Sequence, residues 1–339
     1  MRAAGDPAEM VAEPRADQGA IEAYRRELTG YCYRMLGSAF DAEDAVQEIM
    51  TKAWRARERF EGRSSLRTWL YRIATNHCLD QLASKHRRVR PMDLGPASTV
   101  ASAQLVTRPE GSWVEPIPDG WVLSNDADPA ERALMKETIR LAFVTALQHL
   151  PPQQRAVLLL REVLRWRAAE VAELLETSVP AVNSALQRAR ATLAQRDVRR
   201  SEPLDELDPA QQALLADFVD AFERYDMKAL AQLLHDDATQ SMPPFDLWLQ
   251  GRDEVVSWMV GPGAECEGSR LLPTSANGTP AYGQYRRAAD GSGYEPWALQ
   301  IVEIVDGQIV GMNAYLDVGR WFPMFGLPTR LPAHTAATP

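Results

Sequence analysis

The sequence predicts a multidomain protein in which two all-α domains are joined by an irregular linker and followed by an α+β domain. Apolar residues recur at helical spacing over residues 21–82 and 134–193. Between these blocks, residues 91–130 lose the periodicity and are rich in Pro, Gly, Ser and Asp. Apolar and polar residues then alternate on both sides of Asp306-Gly307, which indicates a β-hairpin. A chain of 339 residues is long enough for two or three such domains.

The boundaries follow from these changes in pattern. Asp128-Pro129 predicts the cap and first turn of one helix, which continues to residue 150, where two prolines follow. The expected segments are a disordered tail (1–19), a helical domain (20–90), a linker (91–130), a second helical domain with a helix-turn-helix (131–198), an α+β domain (205–325) and a final tail (326–339).

The net charge of −9 is unevenly distributed. Basic residues exceed acidic ones by 16 to 13 in residues 1–90 and by 12 to 7 in residues 131–200. The linker has 1 basic and 6 acidic residues, and residues 201–339 have 8 and 20. Clustered Lys and Arg neutralise phosphates, so the two helical domains are candidates for nucleic-acid contact and the last domain is not.

Other whole-chain features narrow the class. Cys32, Cys78 and Cys266 form no CxxC or Cys/His cluster, which argues against a disulfide framework, a zinc site or any other metal site. No apolar run approaches the length needed to cross a bilayer, and the N-terminal segment lacks the apolar core of a signal peptide. We therefore expect a cytoplasmic protein without membrane contact, and no cofactor is indicated.

An acidic ridge precedes a basic segment in the first helical domain. In DAEDAVQEIMTKAW (41–54), Asp41 is predicted to cap a helix that turns Ala45, Val46, Ile49 and Trp54 inward. Acidic side chains then lie on the outward face. A break at EGRSS and a third helix from about residue 65 follow, with arginines around its apolar face and KHRRVR at its end.

These stretches, about 70 residues together, resemble region two of bacterial sigma factors, in particular the extracytoplasmic-function (ECF) group. The resemblance implies that an acidic face binds the RNA polymerase clamp through Asp41, Glu43, Asp44, Gln47, Glu48 and Trp54. It also implies that a basic loop and helix hold the melted minus-ten promoter strand through Arg59, Phe60, Arg63, Ser64, Ser65, Trp69, Arg72 and Asn76. Basic groups for phosphates and pockets for unstacked bases suit that task. Two alternatives remain: a merely solvated acidic face, and Phe60 and Trp69 as core aromatics.

The segment RAAEVAELLETSVPAVNSALQRARATL has the pattern of a helix-turn-helix and resembles sigma region four, which reads the minus-thirty-five element. The resemblance implies DNA contacts by Arg167, Ser178, Pro180, Ala181, Asn183, Ser184, Gln187, Arg188 and Arg190, with Arg196 as a further phosphate ligand. The sequence departs from the family pattern at Glu176, where Gly is usual in the turn, and at Asn183 and Ala185, which are often basic. Individual arginines are alternatively only solvated.

The linker and the last domain carry weaker signals. In such sigma factors the linker passes near the nascent RNA, and its acidity suits a segment that imitates nucleic acid, although acidic linkers also occur without that role. Residues 209–323 resemble the SnoaL-like, nuclear-transport-factor-like cone, which implies an apolar pocket lined by Trp248, Trp258, Tyr282, Tyr285, Trp297, Tyr315 and Asp317. Ordinary core packing is the alternative. His235, Asp236 and Asp237 fit a turn, and no residue is assigned a catalytic role.

Together, these patterns predict a promoter-specificity subunit of RNA polymerase with an accessory C-terminal domain that tunes its access to DNA. The predicted partners are the polymerase core, promoter DNA, an anti-sigma factor and a small-molecule ligand of the cone. Two other classes stay open: a helix-turn-helix regulator with a ligand-sensing domain, and a small-molecule isomerase or hydrolase built on the cone.

Overall fold

The computed structural model describes residues 18–84, 87–109, 111–124, 128–195 and 209–333. The tail predicted at 1–19 lies outside these residues except for its last two, which begin a helix. Arg196 and the end of the final tail, 334–339, also lie outside them. The predicted order of two helical domains, a linker and an α+β domain is confirmed.

The first helical domain consists of four helices, α1 (Gln18–Glu22), α2 (Arg25–Leu36), α3 (Ala39–Ala56) and α4 (Leu66–Ser84). Small and aliphatic side chains at helical spacing on α3, such as Ala42, Ala45 and Ile49, are completely buried. The predicted cap of α3 was wrong. Ser38 is the cap, since its hydroxyl accepts a hydrogen bond of 3.0 Å from the amide of Asp41, and α3 starts two residues before Asp41.

The linker and the second helical domain contain α5 (Asp119–Val122), α6 (Pro129–Ile139), α7 (Leu141–Gln148), α8 (Pro152–Leu158), α9 (Ala168–Leu174) and α10 (Val179–Ala194), with a π-helical turn at Leu159–Val163. The cap Asp128 followed by a proline in the first turn is as predicted. The single helix expected up to residue 150 is broken, because Arg140 has an extended backbone (ψ 143°). The break exposes the carbonyls of Thr138 and Ile139 to partners from elsewhere in the chain.

The helix-turn-helix forms with α9 and α10 joined by residues 175–178. Glu176 in this turn has φ +50°, the left-handed conformation that Gly adopts without strain. The unusual residue in the turn is therefore strained, as the sequence suggested.

The C-terminal domain packs three helices on one face of a curved sheet. The helices are α11 (Pro209–Glu223), α12 (Met227–Leu233) and α13 (Arg252–Val260), and α14 (Val318–Met324) follows the sheet. The strands are β1 (Leu234–Ser241), β2 (Trp248–Gln250), β3 (Arg270–Ala276), β4 (Thr279–Arg287), β5 (Gly293–Val305), β6 (Gln308–Tyr315) and β7 (Leu331–Pro332). Their order is β2-β1-β6-β5-β4-β3 with β7 beside β5, and β1–β6 is parallel. The hairpin predicted at Asp306-Gly307 joins β5 to β6.

The two faces of this sheet belong to different hydrophobic clusters. The inner face, which carries Tyr282, Val302 and Met312, packs against α11, α12 and α13. The outer face, which carries Leu299, Ile301 and Tyr315, belongs to one continuous cluster with the linker and both helical domains. All the parts are therefore packed into one body through the outer face of the sheet.

Replacing Glu176 with Gly is expected to raise the free energy of unfolding by about 1 kcal/mol, because it removes the cost of a side chain in a left-handed backbone. Urea unfolding monitored by circular dichroism measures the change. Glu176→Ala is the matched control and keeps the Cβ, so it should give no such gain. Equal stability of the Gly and Ala variants would contradict the argument.

Candidate nucleic-acid interface and domain junction

The acidic ridge on α3 is exposed. Glu43, Asp44, Gln47 and Glu48 are solvent-accessible, and Glu48 lies 3.7 Å from Lys52. Asp41 differs from them, because it is half-buried and its carboxylate accepts a 2.8 Å hydrogen bond from the buried guanidinium of Arg88. The free part of the ridge is therefore the group from residue 43 to residue 48, while Asp41 helps to hold the end of the first domain in place.

Trp54 lies at the surface at the end of the ridge, although its spacing had predicted an inward position. The ring is 40% exposed, and the guanidinium of Arg57 lies 3.8 Å from its centroid. A large exposed aromatic ring beside an acidic surface is suited to a protein contact.

The basic loop before α4 presents the residues that were assigned to the minus-ten strand. Arg59, Arg63 and Ser65 are exposed, and Ser64 is half-buried. The rings of Phe60 and Trp69 are also half-buried and pack 5.1 Å apart, against the core but not within it. Each ring is thus packed partly on the core and remains partly accessible to solvent.

The outward side of α4 is partly covered by the second helical domain. Asn76 is exposed, but Arg72 forms an ion pair of 3.5 Å with Glu173 of α9. One residue earlier, the ring of Tyr71 packs edge-on against Trp166 at 5.2 Å. The two domains thus contact each other across the helix that was predicted to face promoter DNA.

The helix-turn-helix leaves its second helix accessible. Val182, Leu186 and Ala189 of α10 are buried. The outward residues of the predicted set are all exposed, namely Ser178, Pro180, Ala181, Asn183, Ser184, Gln187, Arg188 and Arg190. The serine caps the helix through the amide of Ala181.

The arginines of this surface differ in their partners. Arg190 pairs with Glu162 at 2.6 Å, and the exposed Arg167 pairs with Glu170 at 2.9 Å. Arg188 forms no ion pair within the described ranges. Of the arginines on this surface, Arg188 is therefore the one most available to a phosphate or a base.

The linker is ordered against the other domains at the junction. Trp113, Val114 and Ile117 are buried, and the backbone of the linker pairs with the C-terminal domain at Ser98, Thr107 and Pro118. This arrangement differs from a free irregular segment because the apolar residues of the linker have docking sites on the sheet and on the helices.

Glu115 is a buried carboxylate at the centre of the linker. It lies 3.3 Å from the guanidinium groups of Arg88 and Arg320 and accepts a short hydrogen bond from Ser38. Burial raises its pKa, and the two guanidinium groups and the serine oppose that effect. Its partners come from the first helical domain and from α14, so the carboxylate joins the linker to both.

Asn277 connects four parts of the chain. It occupies the tip of the β3–β4 hairpin and is completely buried. Its amide Nδ2 donates to the hydroxyl of Tyr33 and to the carbonyl of Ile139, both at 2.6 Å. Its Oδ1 accepts from the amide of Ile117 at 3.1 Å. One side chain thus links the C-terminal domain to α2, to the linker and to the break between α6 and α7.

Neighbouring groups complete this junction. The amide of Gly278 donates to the carboxylate of Asp119 at 2.7 Å, and burial raises the pKa of Asp119. The hydroxyl of Tyr33 donates in turn to the carbonyl of Glu115 at 2.7 Å. These residues are not among those that the sequence patterns predicted. The dipeptide Asn277-Gly278 is a typical hairpin signal, but the sequence does not show where its tip docks.

The seven residues predicted to line one pocket in the cone do not line one cavity. Trp258, Tyr282 and Trp297 belong to the inner cluster. Tyr285 and Tyr315 belong to the outer cluster, where their rings pack against Phe322 and Trp321. The pocket prediction as a set is therefore wrong, because successive positions on a strand face opposite sides of the sheet.

The two remaining members also lie elsewhere. Trp248 donates through its ring nitrogen to the carbonyl of Gly95 in the linker, at 3.1 Å. Asp317 is exposed at the start of α14. His235 accepts a hydrogen bond from the amide of Asp237 within a turn-like start of β1, which agrees with the structural role expected for it.

Buried polar groups on the inner face of the sheet are amides. Gln300 donates to Gln284 at 2.8 Å, and Gln284 donates to Ser269 at 3.1 Å. Gln240 is also buried there. Within the described ranges no group of three or more His, Cys, Asp or Glu could hold a metal ion, and no described helix is long and apolar enough to cross a membrane.

A helical domain with an exposed acidic ridge and a basic loop, followed by a helix-turn-helix on a second helical domain, defines a transcription initiation factor of the sigma type. The comparisons agree with that class. Residues 20–88 match the Sigma-70 region 2 family, residues 140–193 match Sigma-70 region 4, and residues 215–312 match the SnoaL-like domain family.

The chain belongs to the ECF RNA polymerase sigma factors. It is 46% identical over 323 residues to the ECF RNA polymerase sigma factor SigG of Mycobacterium tuberculosis, covering 94% of this chain and 86% of the relative. SigJ of the same organism is 30% identical over 250 residues, 71% of each chain. The crystal structure of SigJ matches with a TM-score of 0.59 at 23% identity, over 93% of this chain and 100% of the other, and shows the shared fold. The predicted family and fold are confirmed.

Replacing Asn277 with Gly is expected to lower the free energy of unfolding by about 2–4 kcal/mol. The variant keeps the positive φ of the turn but leaves the amide of Ile117 and the carbonyl of Ile139 buried without partners, each at a cost of roughly 1–3 kcal/mol. Urea unfolding measures the loss, and hydrogen exchange at the Ile117 amide should speed up.

The matched control is Asp306→Gly, which changes an exposed residue with positive φ at the tip of the other hairpin. We expect a change within about 0.5 kcal/mol at this surface position, because Asp, unlike Glu, adopts the left-handed conformation with little strain. If both variants lost the same stability, the role of the Asn277 side chain in the junction would be refuted.

Proposed function

We propose that the protein, as a sigma factor, directs RNA polymerase to a subset of promoters by dividing two tasks between surfaces of opposite charge. The single observation that supports this division is that α3 carries an exposed acidic ridge and the loop between α3 and α4 is basic and exposed. Sigma factors bind the polymerase core and promoter DNA, and each of these partners requires a different sign of charge.

The ridge is the proposed contact with the polymerase core. Its four exposed polar residues, Glu43, Asp44, Gln47 and Glu48, and the accessible ring of Trp54 form one side of α3. Asp44 has no ion pair among the described residues, so its carboxylate is available to a basic partner surface. Charge complementarity of this kind speeds association and fixes orientation.

The promoter contacts are proposed for two separate surfaces. Arg59, Arg63 and the half-buried rings of Phe60 and Trp69 suit a melted strand, which needs cations for its phosphates and aromatic faces for its bases. The outward side of α10 suits the major groove of the minus-thirty-five element, with Gln187 and Arg188 as the side chains most able to reach base edges.

The structure supports a regulatory role for the C-terminal domain. We call the arrangement seen in the structure the closed arrangement. In it, α9 covers part of α4 through the ion pair of Arg72 with Glu173, and Asn277 at the hairpin tip contacts both helical domains and the linker. A promoter surface that is covered in this way has to be freed before DNA binds to it. We propose that opening of this junction accompanies binding to polymerase.

No covalent chemistry is proposed for the cone. The buried polar groups on its inner face belong to Gln240, Gln284 and Gln300, whose amides do not ionise near neutral pH and so cannot act as general acids or bases. His235 accepts a hydrogen bond within a turn, and Asp236 forms an ion pair of 2.8 Å with Arg252. These features favour a packing and regulatory module over an isomerase or hydrolase. We place its action in the cytoplasm, alongside the polymerase.

Reversing the charge of the ridge with Asp44→Lys and Glu48→Lys together is expected to weaken binding to purified core polymerase about tenfold or more, because like charges then face each other. Surface plasmon resonance without DNA measures the affinity. The control is Asp80→Lys, which reverses one exposed carboxylate of the same domain on α4. Unchanged affinity in a folded ridge variant would refute the assignment.

The Asn277→Gly variant is expected to increase run-off transcription with core enzyme at limiting sigma concentration. If about 2 kcal/mol of junction stability is lost, the open population rises up to about 30-fold, and the apparent affinity for core enzyme rises with it. Asp306→Gly should behave like the unmodified chain. A variant with weaker junction but equal or lower transcription would contradict the proposal that the closed arrangement restrains the factor.

A further inference from the structure

A cavity of about 1140 Å³ lies between the first helical domain, α5 and the second helical domain. Its walls come from α2 and α3 on one side, from Trp121 and Val122 of α5, and from α6 and the segment after α8 on the other. The apolar part of the wall includes Leu134, Met135 and Val163. No surface assigned to polymerase or promoter DNA explains this cavity, although Glu43 at its edge belongs to the acidic ridge.

Arg34 is the one buried charged side chain in the wall, with 6% of its surface exposed. Its Nε and Nη2 donate to Thr138, at the break between α6 and α7. Nη1 makes no hydrogen bond, and no carboxylate lies within ion-pair distance in the described ranges. Burial lowers the pKa of Arg34 to about 10, as expected for a buried cation without a counter-ion.

The helix is adapted to bring this guanidinium group into the wall. Gly30, one turn before Arg34 in α2, is a cavity residue, and a Cβ at that position would lie 2.9 Å from Nη1. A glycine inside a helix is unfavourable by roughly 1 kcal/mol relative to alanine, so its presence here fits the need for space beside the cation.

The other charges of the wall do not neutralise Arg34. Glu22 and Glu27 are paired with Arg25 and Arg67. Asp128 accepts two amide hydrogen bonds at the start of α6. The last two acids, Glu43 and Glu131, are exposed, as are two further arginines of the wall, Arg26 and Arg165. Among the buried residues of the wall, which also include Thr29, Gly30, Val46 and Val122, Arg34 is therefore the one that carries a charge.

We propose that this cavity binds a small anionic amphiphile, a carboxylate or phosphate with an aryl or alkyl body, whose anionic group pairs with Nη1 of Arg34. A charge-assisted hydrogen bond supplies the missing counter-charge, and the apolar body contacts Trp121, Leu134 and Met135. An uncompensated buried charge is costly, so a bound anion removes a penalty that the empty protein bears.

Such a ligand would also stabilise the closed arrangement, and this part of the inference rests on the regulatory role proposed above. The cavity exists only when the first and second helical domains and α5 are together. A ligand that binds the closed form alone lowers the open population by the factor 1 + [L]/Kd, about 100-fold when the free ligand is at 100 times its Kd.

The test uses the full chain and the probe pair 4-phenylbutyrate and its neutral amide, 4-phenylbutyramide, with inorganic phosphate as an anion without an apolar body. We expect saturable binding of the carboxylate by isothermal titration calorimetry and a rise in melting temperature, with little response to the amide and a weaker one to phosphate. If the acid and the amide bind equally, or if none of the probes binds at millimolar concentration, the proposal is refuted.

Two variants locate the site. Arg34→Gln should weaken binding of the carboxylate about 10- to 100-fold, the loss expected for one charge-assisted hydrogen bond. Leu134→Trp keeps Arg34 and places a bulkier ring on the apolar wall where the ligand body is proposed to lie, so it should weaken binding even if Arg34→Gln does not fold. The control Arg224→Gln removes an exposed cation just after α11, outside the cavity, and should bind as the unmodified chain does. Unchanged affinity in a folded Leu134→Trp variant would refute the location.

A further variant separates the site from its regulatory effect. Asn277→Gly leaves every cavity residue in place but loosens the junction, so the apparent Kd for the carboxylate should rise if binding requires the closed form. An unchanged Kd would refute the coupling and leave the binding site standing. All these measurements are made without polymerase, so their failure is distinct from a failure of the proposed sigma mechanism.

Discussion

The closed arrangement of this sigma factor depends on the amide of Asn277. Every polar atom of that side chain has a buried partner, and the partners belong to α2, to the linker and to the end of α6. An amide can serve these partners because it both donates and accepts, which a carboxylate or an ammonium group cannot do. The helix break at Arg140 is part of the same interaction, since it frees the carbonyl of Ile139 from the helix. The domains are therefore matched to one another at the level of single hydrogen bonds.

Charged side chains have two different roles in the molecule. Exposed charges on α3 and in the loop before α4 are left for partners, whereas buried charges such as Glu115 and Arg88 join segments of the chain. Asp41 lies on the boundary, because it belongs to the acidic helix by sequence but pairs with Arg88 in the structure. Burial, which decides between the two roles, depends on segments far away in the sequence.

Local patterns predicted much of the fold, including the amphipathic helices, the cap at Asp128 and the hairpin at Asp306-Gly307. They also predicted the outward side of α10 and the strained turn at Glu176. They failed where tertiary contacts compete with local preference. Ser38 replaced Asp41 as a cap, Arg140 interrupted a helix, and Tyr285 and Tyr315 faced the helical domains instead of a cone interior. A strand's alternation shows that its two faces differ, but it does not show which face another domain will cover.

The separation of the sheet into two hydrophobic clusters has a consequence for how such a protein can diversify. Substitutions among Tyr282, Val302 and Met312 change the inner face of the sheet, while Leu299, Ile301 and Tyr315 on the outer face keep their contacts with the linker and the helical domains. Proteins with this architecture can therefore vary the inner face without changing how their domains assemble.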